Sequence, residues 1–407
     1  MKQEISFDLM RRIDYRLGVP ICFVLAVIDS VKRLFRSVEP QREQPRKILF
    51  IKPAEIGGII LSYPLISQVQ KEVPRAELYF LTFKRNSEVF EVMDVIARQN
   101  ILTIRDGSVL TFLWDSLGII IKIRRLRMDA VFDLEFFSRY TAIISYLGGI
   151  PKRIGFYQYT MEGLYRGNLL THKIAYNPHV HMAEIYWAMG QALKEKGKDS
   201  QELGRTCDFN LLPVPRYVPS PEQEKEMRKR LLGSGVPPDG KIYLINPGEG
   251  RLPLREWPLA SFNQLTNRIL EDDNSYIIIV GLASAFQQTK ELQIMRGRAF
   301  DWRGKTTVQE LLTLCSVSQA LIANDSGLAH LASLTDIKQF ILFGPESPRI
   351  FSPLGKNIKI FYSSLPCSPC LSVFNHRTSR CRDNICMQRI TPESVYDAVA
   401  GEMPAFK

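Results

Sequence analysis

The stretch Ala320-Leu321-Ile322-Ala323-Asn324-Asp325-Ser326-Gly327-Leu328-Ala329-His330 runs from an apolar segment through Asp-Ser-Gly into a helical pattern. Its apolar part predicts a buried strand, and the apolar spacing after the turn predicts a helix. Helix N-termini attract anions, and a glycine lets a ligand approach the backbone. The turn therefore has two interpretations. It is either a phosphate site with His330 on the ligand's side, or an ordinary strand-to-helix turn with Ser326 as its N-cap.

Short apolar segments alternate with helical patterns from Lys47 onwards, which indicates parallel sheets covered by helices. The strands predicted for a first Rossmann-like domain are residues 47–51, 77–83, 100–104 and 129–134. Those predicted for a second are residues 242–245, 276–280, 320–323 and 339–343. The proline-rich stretch 211–221 lies between the two sets and is the best hinge candidate. We therefore predict domains over residues 46–215 and 216–407, after an N-terminal segment and linker over residues 1–45.

Polar or glycine-containing turns follow three predicted strands of the second domain. They are Asn246-Pro247-Gly248, Gly281 and Asn324-Asp325-Ser326-Gly327. Ligands of open α/β sheets bind beyond the carboxyl ends of the strands, so we expect these turns to converge on one site.

The N-terminal segment carries an amphipathic pattern. Apolar residues recur there at three- and four-residue spacing among basic residues: Ile21, Val24, Leu25, Ile28, Val31, Leu34 and Phe35. The uncharged run 17–28 is shorter than the about 20 residues of a membrane-spanning helix. No cleavage site typical of a signal peptide follows it. The pattern predicts a helix that either lies in an anionic membrane surface or packs on the protein's own domain.

Composition permits several partners. The chain has 407 residues, of which 45% are hydrophobic, and a formal net charge of +11. This length suffices for two cores, and the positive charge suits nucleic acid, an anionic membrane or anionic substrates. The sequence has no zinc-finger, helix-turn-helix or RNP-like signature, so nucleic acid is not an expected partner.

Four of the seven cysteines cluster as Cys367-x2-Cys370-x10-Cys381-x4-Cys386. Two such pairs can form a tetrathiolate zinc site, but the spacing is looser than in a zinc ribbon. We interpret the cluster as a structural loop and expect no metal in the chemistry. The remaining cysteines are interpreted as small buried residues: Cys22, Cys207 and Cys315.

An ordered set of short segments points to a known family. In the first half they are Lys47-Ile48-Leu49-Phe50-Ile51-Lys52 with Ile56-Gly57, Asp133-Leu134 with Arg139, and Arg153-Ile154-Gly155-Phe156. In the second half they are Asn246-Pro247-Gly248, Arg255-Glu256-Trp257-Pro258, Gly304-Lys305-Thr306, Asn324-Asp325-Ser326-Gly327 with His330, and Phe343-Gly344-Pro345. Over roughly residues 46–395, the chain resembles glycosyltransferase family 9, the ADP-heptose:lipopolysaccharide heptosyltransferase family.

The resemblance implies a GT-B fold, in which two Rossmann-like domains face each other across a cleft. It implies inverting transfer of a sugar from a nucleotide-sugar donor, ADP-heptose, to a lipopolysaccharide-like or other envelope glycan acceptor. It also implies that no cofactor is needed and that the enzyme works at the cytoplasmic face of the inner membrane, in peripheral contact with anionic lipid. The donor-binding residues that it implies are Asn246, Gly248, Thr306, Asp325, Ser326, Gly327 and His330. Arg255, where the family often has Lys or Arg, would neutralise charge on the departing nucleotide.

The first domain should hold the acceptor, near Gly57, Gly58 and Arg139. Family members typically carry Gly-Asp after the first strand, and that Asp is the expected general base. This chain has Gly58 at that position, and glycine cannot accept a proton. Glu55, three residues earlier, is either a replacement base or a solvated residue near a helix start. Two functions therefore stay open: an active glycosyltransferase, or a catalytically silent homologue that binds nucleotide sugar or glycan at the membrane.

Overall fold

A computed structural model describes residues 7–35, 44–157, 164–194, 209, 212–248, 252–283, 297–375 and 377–401. The chain divides into two compact units, Met1–Pro213 and Val214–Lys407. The division falls within the proline-rich stretch 211–221. Cys207 lies outside the described residues.

Each unit is built on a six-stranded parallel sheet. The strands of the first unit are β1 (Lys47–Ile51), β2 (Glu77–Phe83), β3 (Ile101–Ile104), β4 (Ala130–Asp133), β5 (Lys152–Phe156) and β6 (His172–Ile174). Those of the second are β7 (Lys241–Asn246), β8 (Ser275–Ile279), β9 (Ala299–Asp301), β10 (Ala320–Asn324), β11 (Lys338–Phe343) and β12 (Ile358–Tyr362). The strand orders are β3-β2-β1-β4-β5-β6 and β12-β11-β10-β7-β8-β9. Counted within each unit, both are the Rossmann order 3-2-1-4-5-6.

Helices connect the strands and cover the sheets. In the first unit they are α1 (Phe7–Arg16), α2 (Gly18–Phe35), α3 (Ile56–Leu61), α4 (Tyr63–Glu72), α5 (Val89–Met93), α6 (Val109–Leu126), α7 (Arg139–Leu147) and α8 (Met182–Met189). In the second they are α9 (Pro221–Gly233), α10 (Leu259–Ile269), α11 (Val308–Ser316), α12 (Gly327–Ala332), α13 (Pro348–Phe351), α14 (Ile385–Gln388) and α15 (Pro392–Val399).

The central strands are apolar between their ends, as expected of parallel sheets that are covered on both faces. Every residue of β10 is buried. In the first unit, Phe50 of β1 is in register with Phe80 and Phe132 on the neighbouring strands. Its ring stacks on theirs at centroid distances of 6.3 and 5.2 Å, which ties the middle of the sheet together.

The predicted fold class is confirmed, because both units are α/β with parallel sheets of Rossmann order. All eight predicted strands are present, but the strands β5, β6, β9 and β12 were not predicted. Strands β6 and β9 have three residues each, too few for a clear periodicity. Strand β12 is only half-buried, and β5 begins with two basic residues, so neither has the apolar run of a central strand.

The N-terminal helices belong to the first unit. The Asp14 carboxylate accepts hydrogen bonds from the backbone N–H groups of Arg139 and Tyr140 at 3.0 and 2.8 Å, which fixes α1 to the start of α7. Cys22 of α2 is buried against Ala142 and Leu169. Within the described ranges, no helix is long and apolar enough to cross a membrane.

Candidate functional site

The strand order creates one crevice position in each sheet. In this topology the connections run in opposite directions from the two central strands, β1 and β4 in the first sheet and β7 and β10 in the second. Ligands of such folds bind beyond the carboxyl ends of those two strands, at the topological switch point. The loops after these four strands contain most of the predicted site residues.

At the second switch point, Asn324 holds three loops together. Its Oδ1 accepts a hydrogen bond from the Trp257 N–H at 3.0 Å, and its Nδ2 donates to the Pro247 carbonyl at 2.9 Å. The side chain is fully buried. The loop after β7, the loop after β10 and the segment before α10 are thereby fixed to one another, because a buried amide with both ends bonded has one favourable orientation.

Arg255 lies in this crevice between two carboxylates. Its Nη2 is 2.6 Å from Oε1 of Glu346, and its Nε is 3.7 Å from Oδ2 of Asp325. Arg377 adds a second cation, with Nε 3.2 Å from the same Glu346 oxygen. Glu346 and Asp325 are 1% and 9% exposed, whereas Arg255 is 11% exposed. Glu346 therefore stabilises the guanidinium from within the fold, Asp325 contacts it from a similar depth, and a small part of the guanidinium stays accessible.

Asp325 does not suit direct contact with a diphosphate, since both are anionic. Burial raises the pKa of its carboxyl above the ordinary value, and the neighbouring Arg255 opposes that rise. We interpret Asp325 as a residue that positions Arg255. The next residue, Ser326, accepts a hydrogen bond from the Ala329 N–H at 3.3 Å and is the N-cap of α12. The N-cap interpretation of the turn thus holds for the Ser326 hydroxyl.

Asn246, at the end of β7, offers a buried acceptor. Its Nδ2 donates to the Val280 carbonyl at 2.9 Å, and its Oδ1 has no hydrogen-bond partner among the described residues. A methyl group on Gly281 would lie 2.8 Å from that Nδ2, so only glycine fits there. An unsatisfied buried oxygen is costly, and a ligand's N–H or O–H group would satisfy it.

The remaining donor-side residues lie on adjoining elements. Gly248 is buried two residues after β7, Gly327 begins α12, and His330 is buried inside that helix. The Gly304 N–H donates to the Gly281 carbonyl at 2.9 Å, which brings the loop that carries Thr306 beside the end of β8. Thr306 itself is half-buried.

At the first switch point the central group is Lys52, directly after β1. Its Nζ is 3.0 Å from Oε2 of Glu135 and 3.4 Å from Oε2 of Glu55. The Lys52 side chain is 0% exposed, whereas Glu135 and Glu55 are 13% and 30% exposed. Here the cation is inside and the carboxylates are on the accessible side.

Glu55 precedes α3, as the sequence predicted, but its side chain does not cap that helix. Its backbone has φ 66°, a left-handed conformation that is uncommon outside glycine. Gly57 and Gly58 follow within α3. A methyl group on Gly58 would lie 2.4 Å from Cε of Lys52, so the lysine occupies the space next to this glycine.

Arg139 makes contacts of a different kind. Its guanidinium binds the Asp14 carboxylate at 3.1 Å and the Tyr165 carbonyl at 2.9 Å, and it is buried. In the described part of the chain, these contacts join α7 to α1 and to the segment before β6, not to the loop of Gly57 and Gly58.

The clustered cysteines are all free thiols: Cys367, Cys370, Cys381 and Cys386. Burial raises the pKa of the Cys386 thiol, and the three other thiols act in the same direction. Cys22 and Cys315 are buried as predicted. Among the described residues, no group of three or more His, Cys, Asp or Glu side chains is arranged to hold a metal ion.

Two Rossmann-type units of this strand order agree with the GT-B fold class that the family resemblance implies. The family described as glycosyltransferase family 9 (heptosyltransferase) matches residues 119–378, which is more than half of the chain. The chain therefore belongs to glycosyltransferase family 9 and is a glycosyltransferase, as the ordered segments predicted.

Individual relatives agree. The chain is 24% identical over 328 residues to lipopolysaccharide heptosyltransferase 2 of Salmonella typhimurium, covering 77% of this chain and 87% of the relative. Its fold is similar to the solved ADP-heptose lps heptosyltransferase II of E. coli, with a TM-score of 0.67, 18% identity and coverage of 87% and 98%. It is also similar to the glycosyl transferase family 9 structure from Veillonella parvula, with a TM-score of 0.69, 15% identity and coverage of 87% and 96%.

The sequence did not predict four charged residues of these sites: Lys52, Glu135, Glu346 and Arg377. Lys52 is the last residue of a segment that carried the family resemblance, and Glu346 directly follows another such segment. Their positions in the sequence could therefore have indicated that they belong to the sites. Glu135 follows the resembling pair Asp133-Leu134 in the same way. Arg377 lies far along the chain from Arg255, and only the folded loop brings it to Glu346.

Proposed function

We propose that this protein transfers a heptose from ADP-heptose to a lipopolysaccharide-core or related envelope glycan acceptor, with inversion at the anomeric carbon. One observation carries the proposal: the charge order is opposite at the two switch points. Arg255 is more exposed than Glu346, the acid nearest to it, and about as buried as Asp325, whereas Glu55 is clearly more exposed than the buried Lys52. The first arrangement suits an anionic diphosphate and the second suits a hydroxyl that must lose a proton.

In the proposed reaction, Glu55 accepts the proton of the acceptor hydroxyl. The hydroxyl oxygen forms a bond to the anomeric carbon while the bond from that carbon to the diphosphate oxygen breaks. Negative charge grows on the departing ADP, and Arg255 stabilises it. The Asn246 Oδ1 is available to a donor-side N–H or O–H group, and the proposed donor site also includes Gly248, Thr306, Gly327 and His330.

The names of the relatives support the choice of substrate. The Salmonella typhimurium relative is a lipopolysaccharide heptosyltransferase, and the E. coli structure is an ADP-heptose enzyme. The alternative is a catalytically silent homologue that binds the nucleotide sugar or glycan. Gly58 favours this alternative, because the residue in the family's base position has no carboxylate.

The test is direct transfer by the purified full chain. ADP release and acceptor mass are measured with ADP-heptose and a heptose-deficient core lipopolysaccharide. We expect ADP release together with a mass gain of one heptose. Comparison of envelope glycans by mass spectrometry with and without the gene identifies the natural product. Binding of ADP-heptose without turnover, and an unchanged glycan on gene loss, would establish the silent homologue instead.

We further propose that the enzyme works at the cytoplasmic face of the inner membrane, through exposed apolar helix faces of its first unit. On α2, Cys22 packs inward while Val24, Val31 and Leu34 are exposed. On α6, Leu110 and Trp114 are 80% and 75% exposed. Both helices pack against α7.

The residues exposed on α6 recur on one helical face: Leu110, Leu113, Trp114, Leu117 and Ile121. Exposed basic residues stand at the end of the same helix: Lys122, Arg124, Arg125 and Arg127. An apolar face with an exposed Trp beside clustered cations complements an anionic bilayer surface. The sequence left two interpretations of α2 open, and the structure gives this helix both a packed side and an exposed apolar side.

Cosedimentation with phosphatidylglycerol-containing vesicles tests this contact. The double variant Trp114→Glu/Leu117→Glu should lose most vesicle binding, because each charge is costly in the acyl region. The matched control is Val218→Glu/Leu232→Glu, which changes two exposed apolar residues of the second unit. Equal sedimentation of both variants would contradict membrane contact through α6. A change of oligomeric state in light scattering would assign the face to a second copy of the chain.

A further inference from the structure

The space beside Gly58 is filled by one side chain. A methyl group on Gly58 would approach three atoms of Lys52: Cε at 2.4 Å, Nζ at 3.4 Å and Cδ at 3.5 Å. Real Cβ atoms do not come as close as the first distance, so a larger residue at position 58 requires Lys52 to move. Gly58 is therefore not merely a missing carboxylate, because its absent side chain makes room for the lysine.

Lys52 is not free to move without loss. Its Nζ is held by Glu135 at 3.0 Å and Glu55 at 3.4 Å, and it lies 5.0 Å from the centre of the Phe136 ring. The other Glu135 oxygen, Oε1, accepts a hydrogen bond from the Ala54 N–H at 3.0 Å. Glu135 thus fixes both the ammonium and the backbone next to Glu55. Displacing the buried ammonium would separate it from two carboxylates at once.

We propose that Lys52 and Gly58 are a matched pair, in which Lys52, anchored by Glu135, positions the Glu55 carboxylate as the replacement for a carboxylate at position 58. Lys52 and Glu135 are positioning residues in this scheme, and Glu55 is the group that meets the acceptor hydroxyl. The inference rests on the proposed function, because positioning a base matters only if transfer occurs.

The backbone supports this arrangement. Glu55 has φ 66° and ψ 98°, and Phe137, two residues after Glu135, has φ 55°. Such backbone conformations raise the free energy of non-glycine residues, and they persist where surrounding contacts hold the backbone in place. Both strained residues lie in the two loops that meet at Lys52. An apolar residue in place of Lys52 would fill the same space without burying a charge, so packing does not explain the ammonium.

A double-mutant cycle between positions 52 and 58 tests the pairing. Gly58→Ala should lower kcat about tenfold with the KM for ADP-heptose unchanged, because the added methyl displaces the ammonium that holds Glu55. In the Lys52→Ala background, which is itself impaired, Gly58→Ala should have almost no further effect. Gly107→Ala is the matched control, since a methyl group there would meet no atom within 4 Å. Equal losses from Gly58→Ala in both backgrounds would overturn the pairing.

A second set of variants tests whether a carboxylate at position 58 can restore kcat. Gly58→Asp in the wild-type background should not raise kcat, because Lys52 occupies the space that an aspartate side chain needs. Lys52→Ala/Gly58→Asp should exceed Lys52→Ala in kcat by about tenfold, since that space is then available to Asp. A gain from Gly58→Asp alone would contradict the proposal.

Thermal unfolding of the same proteins separates this inference from the proposed function. Gly58→Ala should lower Tm by about 5 °C in the wild-type background and by much less beside Lys52→Ala. If no variant and no wild-type preparation transfers heptose, but the Tm cycle is coupled, the packing of Lys52 against Gly58 stands, while the proposed reaction and the positioning role both fail. If transfer occurs without coupling in kcat or Tm, the reaction stands and the pairing is wrong. If Lys52→Ala does not fold, the cycle is run with Glu135→Gln present, which removes one of the two carboxylates that need the ammonium.

Discussion

The two switch points share a strand order but present opposite charges. In the second unit, Arg255 is bound by Glu346, which lies deeper in the fold, and lies beside Asp325, which is about as buried as the arginine. In the first, Lys52 lies deeper than the two carboxylates that hold it, Glu55 and Glu135. A cation paired with two acids thus presents the cation in the second unit, where Arg377 adds another, and presents carboxylates in the first.

In the proposed reaction, this difference lets one fold serve two chemical tasks. A Rossmann unit places its ligand-binding loops beyond the carboxyl ends of its central strands. The burial of each charged group in those loops then decides which charge is accessible to a ligand. A guanidinium backed by buried acids is already oriented when negative charge develops on a leaving group. Carboxylates in front of a buried ammonium are held in place while they remain accessible to a proton.

The largest expected effect tests the carboxylate side. Glu55→Gln should lower kcat by about 10²- to 10⁴-fold, because it removes the proton acceptor and keeps the shape of the side chain. Affinity for ADP, measured by calorimetry, should stay nearly constant. Glu226→Gln, an exposed change on α9, is the control and should be silent. Full turnover of Glu55→Gln would place the base elsewhere and end the comparison between the two units.

The next effect tests the cation side. Arg255→Gln should lower kcat about 10²-fold and weaken ADP binding, because the growing diphosphate charge loses its nearest cation. Steady-state kinetics and calorimetry measure the two quantities. Arg268→Gln is the control, since this partly exposed arginine of α10 contacts Asp397 at 3.8 Å and the Tyr396 ring at 4.1 Å and, within the residues described, none of the predicted site residues. Unchanged ADP affinity in Arg255→Gln would show that the diphosphate binds away from this crevice.

A smaller effect concerns stability and pH. Burial raises the pKa of Asp325 in the folded protein above its unfolded value, despite Arg255. The folded state therefore binds this proton more tightly, and its stabilising contribution is lost as pH rises from near 4 through the folded pKa. Asp325→Asn should gain stability relative to wild type over that window, measured as urea midpoints at several pH values.

Asp272→Asn supplies a control of opposite sign. A hydrogen bond from Lys241 lowers the pKa of Asp272, so its ionised form stabilises the fold above the unfolded pKa. This variant should lose stability relative to wild type as pH rises. Parallel pH trends in the two variants would contradict the interpretation of Asp325 as a buried acid behind Arg255.

The smallest expected effect concerns the zinc content of the protein, which should be negligible. Freshly purified protein should contain well under one zinc per chain by elemental analysis, and the double variant Cys367→Ser/Cys381→Ser should retain wild-type ADP affinity. Stoichiometric zinc that disappears in this variant would show that the cysteine loop is a metal site. It would also add a structural metal to the second unit only, sharpening the contrast with the first unit.

Local sequence was sufficient for most of the fold. The central strands were predictable because a strand buried on both faces is an apolar run, as in residues 48–51 and 320–323. Strands β6 and β9 are short and β12 is only half-buried, so these strands need not be apolar runs. Their sequences therefore show no clear strand pattern. The order of the family segments also identified the family, since it depends only on residues along the chain.

The sequence by itself thus determined two Rossmann units, the family and the loops that carry the site residues. Only the tertiary structure decided what each charged residue faces. Arg139, predicted on the acceptor side, binds Asp14 of α1, while Lys52 and Glu135, 83 positions apart, meet beside Gly58. The reason is physical. Apolar periodicity is a pattern among neighbours along the chain and can be read from the sequence. The partner of a charged group and its burial depend on residues that only folding brings together.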